Sequence, residues 1–225
     1  GSSLIRLRRE LGCLKPSRIT GRIPGMIRAL LASLLFLAAA CSSETSSAQP
    51  RQEPLPGGQQ EAVFAGGCFW CMEHDMGAIP GVISVMSGYT GGRNANPTYE
   101  NHPGHFEAVR VRFDPSVISY RQLVDRYWRF TDPTDNGGQF CDRGSSYRPA
   151  IFVTPAQRAD AEASKRAVIA SGRVNGQVIT PILDLGPFTE AEEYHRDYAR
   201  RNPTRYAMYR SGCGRDARLR EVWRR

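Results

Sequence analysis

Residues 66–73, Gly-Gly-Cys-Phe-Trp-Cys-Met-Glu, are the stretch on which the interpretation of this chain depends. The residues before them, 61–65, are predicted to form a short strand, and residues 68–78 are predicted to form a helix that ends before Pro80. The two glycines permit a sharp turn from strand to helix. Cys68 then lies at the helix start, where the partial positive charge and the free N–H groups favour a thiolate. The stretch therefore predicts thiol chemistry, with Cys68 as a reactive nucleophile rather than a buried structural thiol.

The first 60 residues are predicted to form a leader and a tether outside the folded core. Residues 29–40 are an apolar run of twelve residues that follows several arginines. The run is shorter than a membrane span of about 20 residues and is typical of a secretory signal. Cys41 follows Leu-Ala-Ala-Ala, which resembles a bacterial lipoprotein cleavage box, so we predict that Cys41 is lipidated. Ordinary secretion, with cleavage near Ala40 or Ala48, is the alternative.

The chain is therefore predicted to divide into three parts. A leader covers residues 1–41, a disordered linker rich in Ser, Pro, Gly and Gln covers residues 42–60, and a catalytic domain covers residues 61–225. A protein with these parts is expected in the periplasm or cell envelope, as a lipoprotein anchored to the membrane.

The net charge of +8 is concentrated in the leader. Seven of the 30 Lys and Arg residues and one of the 22 Asp and Glu residues lie in residues 1–40, which leaves 23 basic and 21 acidic side chains in residues 41–225. A nearly neutral domain lacks the basic surface that nucleic acid binding requires. We therefore predict no nucleic acid partner, and we expect the protein to act as a monomer.

The pattern along the domain predicts an α+β fold, a mixed α/β roll in which a central mixed sheet flanked by helices forms a two-layer sandwich. Alternating or β-branched segments indicate strands, and capping residues followed by helical spacing indicate helices. Everything after Pro203 shows neither pattern and is predicted to be a long irregular C-terminal tail. The predicted strands cover residues 82–89, 107–113, 150–153 and 178–185, the last at an edge because it contains Pro181. The predicted helices cover residues 119–130, 154–171 and 189–201.

Four cysteines remain once the leader is removed: Cys68, Cys71, Cys141 and Cys213. An exported protein could use them as two structural disulfides, but a domain of this size can build its own core. Cys71 lies one helical turn from Cys68, so the two sulfurs can form a redox-active dithiol. The same spacing could supply half of a zinc site completed by His102 and His105, although these histidines lie in a Pro-Gly turn that matches zinc-ligand spacing poorly.

Other residues of the domain are suited to assist a thiol nucleophile. A carboxyl such as that of Glu107, buried near an apolar thiol pocket, would have a raised pKa and could donate a proton near neutral pH. The phenols of Tyr99 and Tyr147, which lie in polar loops, can hydrogen-bond a polar substrate oxygen. Phe69 and Trp70 can belong to the core, form an apolar pocket wall for an alkyl group of the substrate, or do both.

Six motifs follow one another along the domain: Gly66-Gly67-Cys68-Phe69-Trp70 with Glu73, Gly88-Tyr89-Thr90-Gly91-Gly92, Asn96-Pro97-Thr98-Tyr99, Gly104-His105-Phe106-Glu107, Asp142-Arg143-Gly144 and Tyr147-Arg148. In this order they closely resemble the peptide methionine sulfoxide reductase A family. The resemblance extends from about residue 62 to residue 213, which is nearly the whole predicted domain. It is far more specific than a Cys-x-x-Cys pair alone.

The resemblance implies a reaction and the residues that perform it. Cys68 would attack the sulfur of methionine S-sulfoxide, free or in a protein, and would become a sulfenic acid as methionine leaves. Glu107 would protonate the sulfoxide oxygen, assisted by the hydroxyls of Tyr99 and Tyr147. The resemblance implies no metal and no organic cofactor.

The remaining implied roles concern substrate binding. Phe69 and Trp70 would hold the terminal methyl group of the substrate. Asp142 would be a polar site residue that orders water or a tyrosine.

The cysteines depart from the family pattern, since many relatives have glycine at the position of Cys71 and place resolving thiols only near the C-terminus. The resolving thiol would convert the sulfenic acid to a disulfide, which a thioredoxin-like donor reduces. We predict that Cys71 resolves first and that Cys213, in a mobile tail, relays the disulfide outward. Cys141 is either a further competitor for this role or a small residue that lines the site.

Two other functions compete with this interpretation. The first is a general dithiol oxidoreductase that acts on protein disulfides through Cys68 and Cys71, and the second is a non-enzymatic zinc-binding module. The Glu107 and tyrosine motifs that follow the Cys-Phe-Trp-Cys segment favour the sulfoxide reductase over both.

Overall fold

The computed structural model describes residues 56–223. The predicted leader, the lipidation site Cys41 and the linker up to residue 55 lie outside the described residues. The strands are β1 Gln60–Ala65, β2 Val82–Thr90, β3 Phe106–Phe113, β4 Gly138–Gln139, β5 Asp142–Arg143, β6 Ala150–Val153, β7 Ile182–Asp184 and β8 Phe188–Glu190. The helices are α1 Phe69–Gly77, α2 Tyr120–Tyr127, α3 Pro155–Ala170, α4 Tyr198–Arg201, α5 Pro203–Gly212 and α6 Arg215–Val222, and 3₁₀ turns cover residues 56–58, 128–130, 145–147 and 193–195.

Six strands form one sheet in the order β7-β6-β1-β3-β2-β8, and β4 pairs with β5 separately. Within the six-stranded sheet β6 and β7 are parallel, whereas the other neighbouring strands are antiparallel. The predicted α+β fold, with a central mixed sheet flanked by helices, is confirmed. β7 begins directly after Pro181 and lies at an edge of the sheet, where a missing backbone N–H is tolerated.

Both faces of β1, the strand that leads to Cys68, are buried. Successive side chains of a strand point to opposite faces, so Ala62 and Phe64 face the larger core while Val63 and Ala65 face a smaller one. Because packing holds β1 from both sides, the start of the turn that follows it has a fixed position. The larger core also contains side chains of α1, α2, α3 and the turn after α2, among them Met72, Met76, Leu123, Tyr127, Trp128 and Ala161.

Helices α2 and α3 begin where the sequence predicts. Ser119 forms a reciprocal capping box with Gln122 at the start of α2. Thr154 and Gln157 form a second capping box at α3, whose first residue is Pro155. α3 is the longest described helix, with 16 residues. Within residues 56–223 no helix has both the length and the apolar character needed to cross a bilayer.

The helix predicted over residues 189–201 is wrong. β8 occupies residues 188–190 at the edge next to β2, and only short helical turns follow it. Glu192 explains the difference, because its carboxylate accepts hydrogen bonds from the N–H of Tyr99 at 2.8 Å and from the hydroxyl of Tyr89 at 2.9 Å. A carboxylate bound to these distant groups cannot close a capping box at its own helix start.

The predicted irregular C-terminal tail is also wrong, because residues 203–222 form α5 and α6. Pro203 is the first residue of α5, where the missing N–H of proline breaks no helical hydrogen bond. Gly214 adopts a left-handed conformation, with φ at 66°, between the two helices. Within the Ser-Gly-Cys-Gly stretch, residues 211 and 212 end α5, and only Cys213 and Gly214 separate the two helices.

The C-terminal helices are expected to contribute strongly to stability. Trp223, directly after α6, is only 4% exposed, donates a hydrogen bond to the carbonyl of Thr131 at 3.0 Å and packs under Arg129. Trp223→Ala is expected to lower the free energy of unfolding by about 3 kcal/mol, measured by urea denaturation.

Met208→Ala is the matched control, because Met208 of α5 is 71% exposed and its loss is expected to cost less than about 0.5 kcal/mol. Equal stability of the two variants would contradict the docking of the C-terminal segment onto the core.

Candidate active site

The turn between β1 and α1 positions Cys68. A Cβ atom on Gly66 would lie 2.4 Å from Sδ of Met72, and Gly67 has a φ of 84°. Neither position accepts a side chain without strain. Cys68 directly precedes α1, and its carbonyl accepts hydrogen bonds from the N–H groups of Cys71 and Met72 at 3.1 and 3.3 Å. The strand, turn and helix predicted around Cys68 are confirmed.

No free N–H group at the start of α1 donates a capping hydrogen bond to the Cys68 sulfur. The N–H of Phe69 donates instead to Oε2 of Glu107 at 3.1 Å. Cys68 is 6% exposed. Burial raises the pKa of the Cys68 thiol well above its usual value, and the neighbouring Cys71 raises it further. The expected thiolate on Cys68 is therefore wrong for the substrate-free protein.

Cys71 has the more acidic thiol of the pair. The hydrogen bond from Cys68 lowers the pKa of Cys71 to about 7. Burial acts in the opposite direction, while the positive charge of Arg215 and a hydrogen bond from Tyr206 lower the pKa further. The two cysteines therefore ionise as one coupled pair, in which Cys71 is the thiol that more readily takes the negative charge.

Glu107, on β3, is a buried acid that stays protonated at neutral pH. Only 1% of this residue is exposed, and burial raises the pKa of its carboxyl to about 8. The hydrogen bonds from the Phe69 N–H and from Tyr147 act in the opposite direction, but they do not outweigh burial. The carboxyl and Cys68 are close enough for the charge of Glu107 to raise the pKa of the thiol. A proton donor therefore lies beside the nucleophile.

Tyr99 and Tyr147 reach this carboxyl from two separate loops. The hydroxyl of Tyr147 hydrogen-bonds both Glu107 and Tyr99. Burial raises the pKa of both phenols, so both keep their protons over the whole neutral range. The two hydroxyls can therefore act as hydrogen-bond donors to an oxygen placed near Glu107.

Asp142 approaches the nucleophile from another direction. Its Oδ2 accepts a hydrogen bond from the hydroxyl of Tyr209, on α5, at 2.5 Å. The same hydroxyl also hydrogen-bonds Cys68. Burial raises the pKa of the Asp142 carboxyl, and the bond from Tyr209 opposes this shift. The five predicted polar residues, Cys68, Glu107, Tyr99, Tyr147 and Asp142, thus form one cluster.

The Trp70 ring is fixed by three side chains from the C-terminal part of the chain. It stacks on Tyr198 at a centroid distance of 3.8 Å and an interplanar angle of 8°, and meets the edge of Tyr209 at 5.7 Å. Its Nε1–H donates to Nδ1 of His195 at 3.1 Å. Phe69 is buried in the core, with its ring 4.9 Å from that of His195. An aromatic wall therefore adjoins the polar cluster.

Cys141 and Cys213 form a disulfide, with their Cα atoms 4.9 Å apart. The interpretation of Cys141 as merely a small lining residue is therefore wrong, and Cys213 lies at the end of α5 rather than in a mobile tail. The Cys213 sulfur is 3.9 Å from Oδ2 of Asp142. A second cysteine pair therefore adjoins the polar cluster, while Cys68 and Cys71 are unbridged.

The histidines of the zinc hypothesis have other partners. Nδ1 of His102 donates to the carbonyl of Thr98 at 2.9 Å, and Nε2 of His105 donates to the carbonyl of Asn94 at 3.2 Å. Among residues 56–223, the potential metal ligands that come together are Cys141, Asp142 and Cys213, and this group includes neither histidine. The described part of the chain therefore does not form the zinc site considered from sequence.

Comparison with known proteins identifies the family. The sequence model described as "Peptide methionine sulfoxide reductase" matches residues 60–225. The chain is 61% identical over 168 residues to peptide methionine sulfoxide reductase MsrA 2 of Caulobacter vibrioides, covering 73% of this chain and 85% of that protein. It is 54% identical over 167 residues to MsrA of Ligilactobacillus salivarius, covering 72% and 96%. The chain belongs to the peptide methionine sulfoxide reductase family.

Solved structures agree with this assignment. The reductase superposes on methionine sulfoxide reductase A of Corynebacterium diphtheriae with a TM-score of 0.58 at 30% identity, covering 66% of this chain and 77% of the other. For Mxr1 of Saccharomyces cerevisiae in reduced form the TM-score is 0.60 at 26% identity, with 66% and 88% covered. The predicted enzyme class, an oxidoreductase that reduces peptide methionine sulfoxide, is confirmed by the family.

Sequence analysis missed several residues that contact the predicted site. All of them follow residue 190, in segments whose structure was predicted wrongly. The tyrosines at 206 and 209 lie three residues apart, a helical spacing that would have placed both on one face of α5. No local signal marks the others, because their contacts are with residues far away in the chain. The missed residues are Glu192, His195, Tyr198, Tyr206, Tyr209 and Arg215.

Glu107 is expected to titrate near pH 8 in the substrate-free reductase, because burial disfavours its charged form. The carbon resonances of ¹³C-labelled glutamate carboxyls, followed against pH, give the midpoint. Glu107→Gln assigns the resonance by removing it. A midpoint near the usual value of 4.5 would exclude a protonated acid at neutral pH.

Proposed function

We propose that this reductase converts methionine S-sulfoxide, free or within oxidised proteins, to methionine through a sulfenic acid on Cys68, and thereby repairs proteins after oxidative damage. The observation that supports this most directly is the hydrogen bond from the Phe69 N–H to Glu107, which holds a protonated carboxyl beside the nucleophile. A sulfoxide oxygen is a poor leaving group unless it is protonated, so an acid and a thiol must face one substrate.

In the first step the Cys68 sulfur bonds to the sulfoxide sulfur, and Glu107 gives its proton to the sulfoxide oxygen. The thiol proton of Cys68 passes to the thiolate of Cys71, to which it is already hydrogen-bonded. The protonated oxygen then moves from the substrate sulfur to the Cys68 sulfur. The bond between the two sulfurs breaks in the same step, which releases methionine and leaves a sulfenic acid on Cys68. The hydroxyls of Tyr99 and Tyr147 orient the oxygen during this transfer.

The substrate side chain binds against the aromatic wall in this proposal. Trp70, held by Tyr198 and His195, and the adjacent Phe69 enclose the terminal methyl group. Asp142 fixes the hydroxyl of Tyr209 on the polar side of the nucleophile. When the methyl group, the oxygen and the direction of attack by the Cys68 sulfur are all fixed, only one configuration at the substrate sulfur fits.

In the second step the Cys71 sulfur attacks the sulfenic sulfur of Cys68. A disulfide forms, and the hydroxyl group leaves with the proton of Cys71 as water. The two sulfurs supply the two electrons of the reduction. One proton comes from Glu107 and the other from the cysteine pair, so the atoms and charges balance without a metal or an organic cofactor.

Regeneration is proposed to pass through the second pair, since Cys68 and Cys71 are buried whereas Cys141 is exposed. A thioredoxin-like dithiol first reduces the Cys141–Cys213 disulfide by attack on Cys141. The freed Cys213 thiolate then attacks Cys71 and releases Cys68. Attack of Cys141 on Cys213 releases Cys71 and restores the outer disulfide. Each cycle moves two electrons inward.

Serine variants of the cysteines test this sequence of steps with a peptide that contains one methionine S-sulfoxide. Cys68→Ser is expected to form no methionine. Without reductant, Cys71→Ser is expected to form one methionine per protein molecule, more slowly because it lacks the thiolate that accepts the Cys68 proton, and to retain a sulfenic acid on Cys68 that dimedone traps. Mass spectrometry measures both the peptide and the adduct.

Cys213→Ser serves as the control for regeneration. Without reductant this variant is expected to form one methionine per protein molecule, as the unmodified protein does. With thioredoxin its steady-state rate of methionine formation is expected to fall at least about tenfold. Methionine formation by Cys68→Ser would overturn the nucleophile assignment, and full thioredoxin-driven turnover by Cys213→Ser would overturn the relay.

We also propose that the reductase is exported to the periplasm or cell envelope as a monomer with a lipid on Cys41. The apolar run at residues 29–40 and the Leu-Ala-Ala-Ala-Cys segment support this proposal. Mass spectrometry of protein isolated from membranes is expected to find acyl chains on Cys41, and Cys41→Ser is expected to release the protein. A mature N-terminus beyond Cys41 would exclude the anchor.

A further inference from the structure

Arg215, the first residue of α6, is the most completely buried arginine among residues 56–223. Its side chain is 1% exposed, although a guanidinium is always charged and removing it from water costs several kcal/mol. Neither the motifs of the sequence nor the reaction proposed above assigns it a role. A charge at such depth requires partners that offset this cost.

The guanidinium of Arg215 is bound beneath the turn that carries the nucleophile. Nη1 donates to the carbonyl of Gly66 at 3.3 Å, and Nη2 donates to the carbonyl of Phe130 at 2.7 Å and to Sδ of Met72 at 3.4 Å. The ring of Phe140 lies 4.5 Å from its central carbon. Gly66 is two residues before Cys68, and Met72 directly follows Cys71. The cation therefore contacts the chain on both sides of the dithiol.

The nearest carboxylate neutralises this cation only in part. Nε of Arg215 is 3.6 Å from Oδ2 of Asp75, on α1. Asp75 also binds Arg210, whose Nη1 lies 2.7 Å from Oδ1. Two arginines thus share one buried carboxylate, and the other partner of Arg210, Asp216, is about half exposed. Arg215 itself makes no hydrogen bond to a carboxylate, since its Nε has no hydrogen-bond partner, and its charge can act on the neighbouring dithiol.

We propose that Arg215 is a positioning residue of the reductase: from α6 it braces the Gly66 turn and keeps the negative charge of the Cys68–Cys71 pair on Cys71. This proposal rests on the function proposed above, in which Cys71 must first accept the Cys68 proton and then attack the sulfenic sulfur. Placing the charge on Cys71 keeps there the thiolate that accepts the Cys68 proton in the first step.

The groups that face Cys71 come from each element packed around it. Cys68 and Asp75 belong to the α1 segment, Glu107 to β3, Tyr206 to α5 and Arg215 to α6. The hydrogen bond from Cys68 has the largest effect on the pKa of Cys71, and Arg215 supplies the attractive charge, whereas Asp75 raises the pKa. Asp75 and Arg215 thus act on this thiol in opposite directions.

The test measures the pH dependence of iodoacetamide alkylation at Cys71 in the full-length protein without sulfoxide, with peptide mass mapping to resolve each cysteine. Arg215→Met keeps the aliphatic stem but removes the charge, and is expected to raise the midpoint by about one pH unit, which slows alkylation at pH 7 about fivefold because the thiolate fraction falls from about one half to about one tenth. Arg215→Lys keeps the charge and is expected to retain most of the original midpoint.

Two further variants separate charge from packing. Arg218→Met removes an arginine of the same helix that pairs with Asp132 and Glu221, and is expected to leave the midpoint unchanged. Asp75→Asn removes the opposing carboxylate and is expected to lower the midpoint. If Asp75 and Arg215 acted on Cys71 only by supporting the structure, Asp75→Asn and Arg215→Met would move the midpoint of Cys71 alkylation in the same direction.

An unchanged midpoint in folded Arg215→Met, or a rise in Asp75→Asn, would overturn the proposal. Circular dichroism checks folding, and if Arg215→Met does not fold, the opposite shift in Asp75→Asn and the retained midpoint of Arg215→Lys decide the question. Sulfoxide reduction by the unmodified protein is measured separately, so failure of the proposed reaction is distinguished from failure of the assignment of Arg215.

Discussion

The hydrogen bond between the Phe69 N–H and Glu107 is the constraint on which the site depends. It joins the first turn of α1 to β3 and places an acid next to Cys68. A helix start offers few free N–H groups. One of them is given to Glu107, and the Cys68 side chain makes no capping hydrogen bond. The bond to Glu107 thus fixes the position of the acid, while burial favours the protonated form of the Cys68 thiol.

This arrangement of protons has a limited pH range. Cys71 has a pKa lowered to about 7, so its thiolate is present above pH 7 and is lost as the pH falls. Glu107 has a pKa raised to about 8, so its acid form is present below pH 8 and is lost as the pH rises. The Cys71 thiolate and the protonated Glu107 are therefore present together mainly between about pH 7 and about pH 8. Outside this range the site lacks either an acceptor for the Cys68 proton or a donor for the sulfoxide oxygen.

Much of the site could be predicted from sequence because its signals are local. The Gly-Gly turn requires backbone freedom at Gly66 and Gly67, and the capping residues of α2 and α3 bond their own helix starts. The division of charge between the two thiols could not be predicted, since it depends on the burial of Cys68 and on the charge of Arg215, which is distant in the chain. The false helix at residues 189–201 also has a distant cause, because the Glu192 carboxylate bonds Tyr89 and Tyr99 rather than capping a helix start.

The C-terminal segment illustrates a second limit, because a disulfide between residues 72 positions apart cannot be deduced from spacing. This disulfide raises a physical question for the proposed relay, since opening it removes the covalent link between the residue before β5 and the residue after α5. Contacts other than the disulfide also hold the segment: Arg210 and Arg215 bind Asp75, and Arg215 binds the carbonyl of Gly66. None of these contacts involves either sulfur of the disulfide. The outer pair can therefore be reduced in each cycle without displacing the side chains that surround the inner pair.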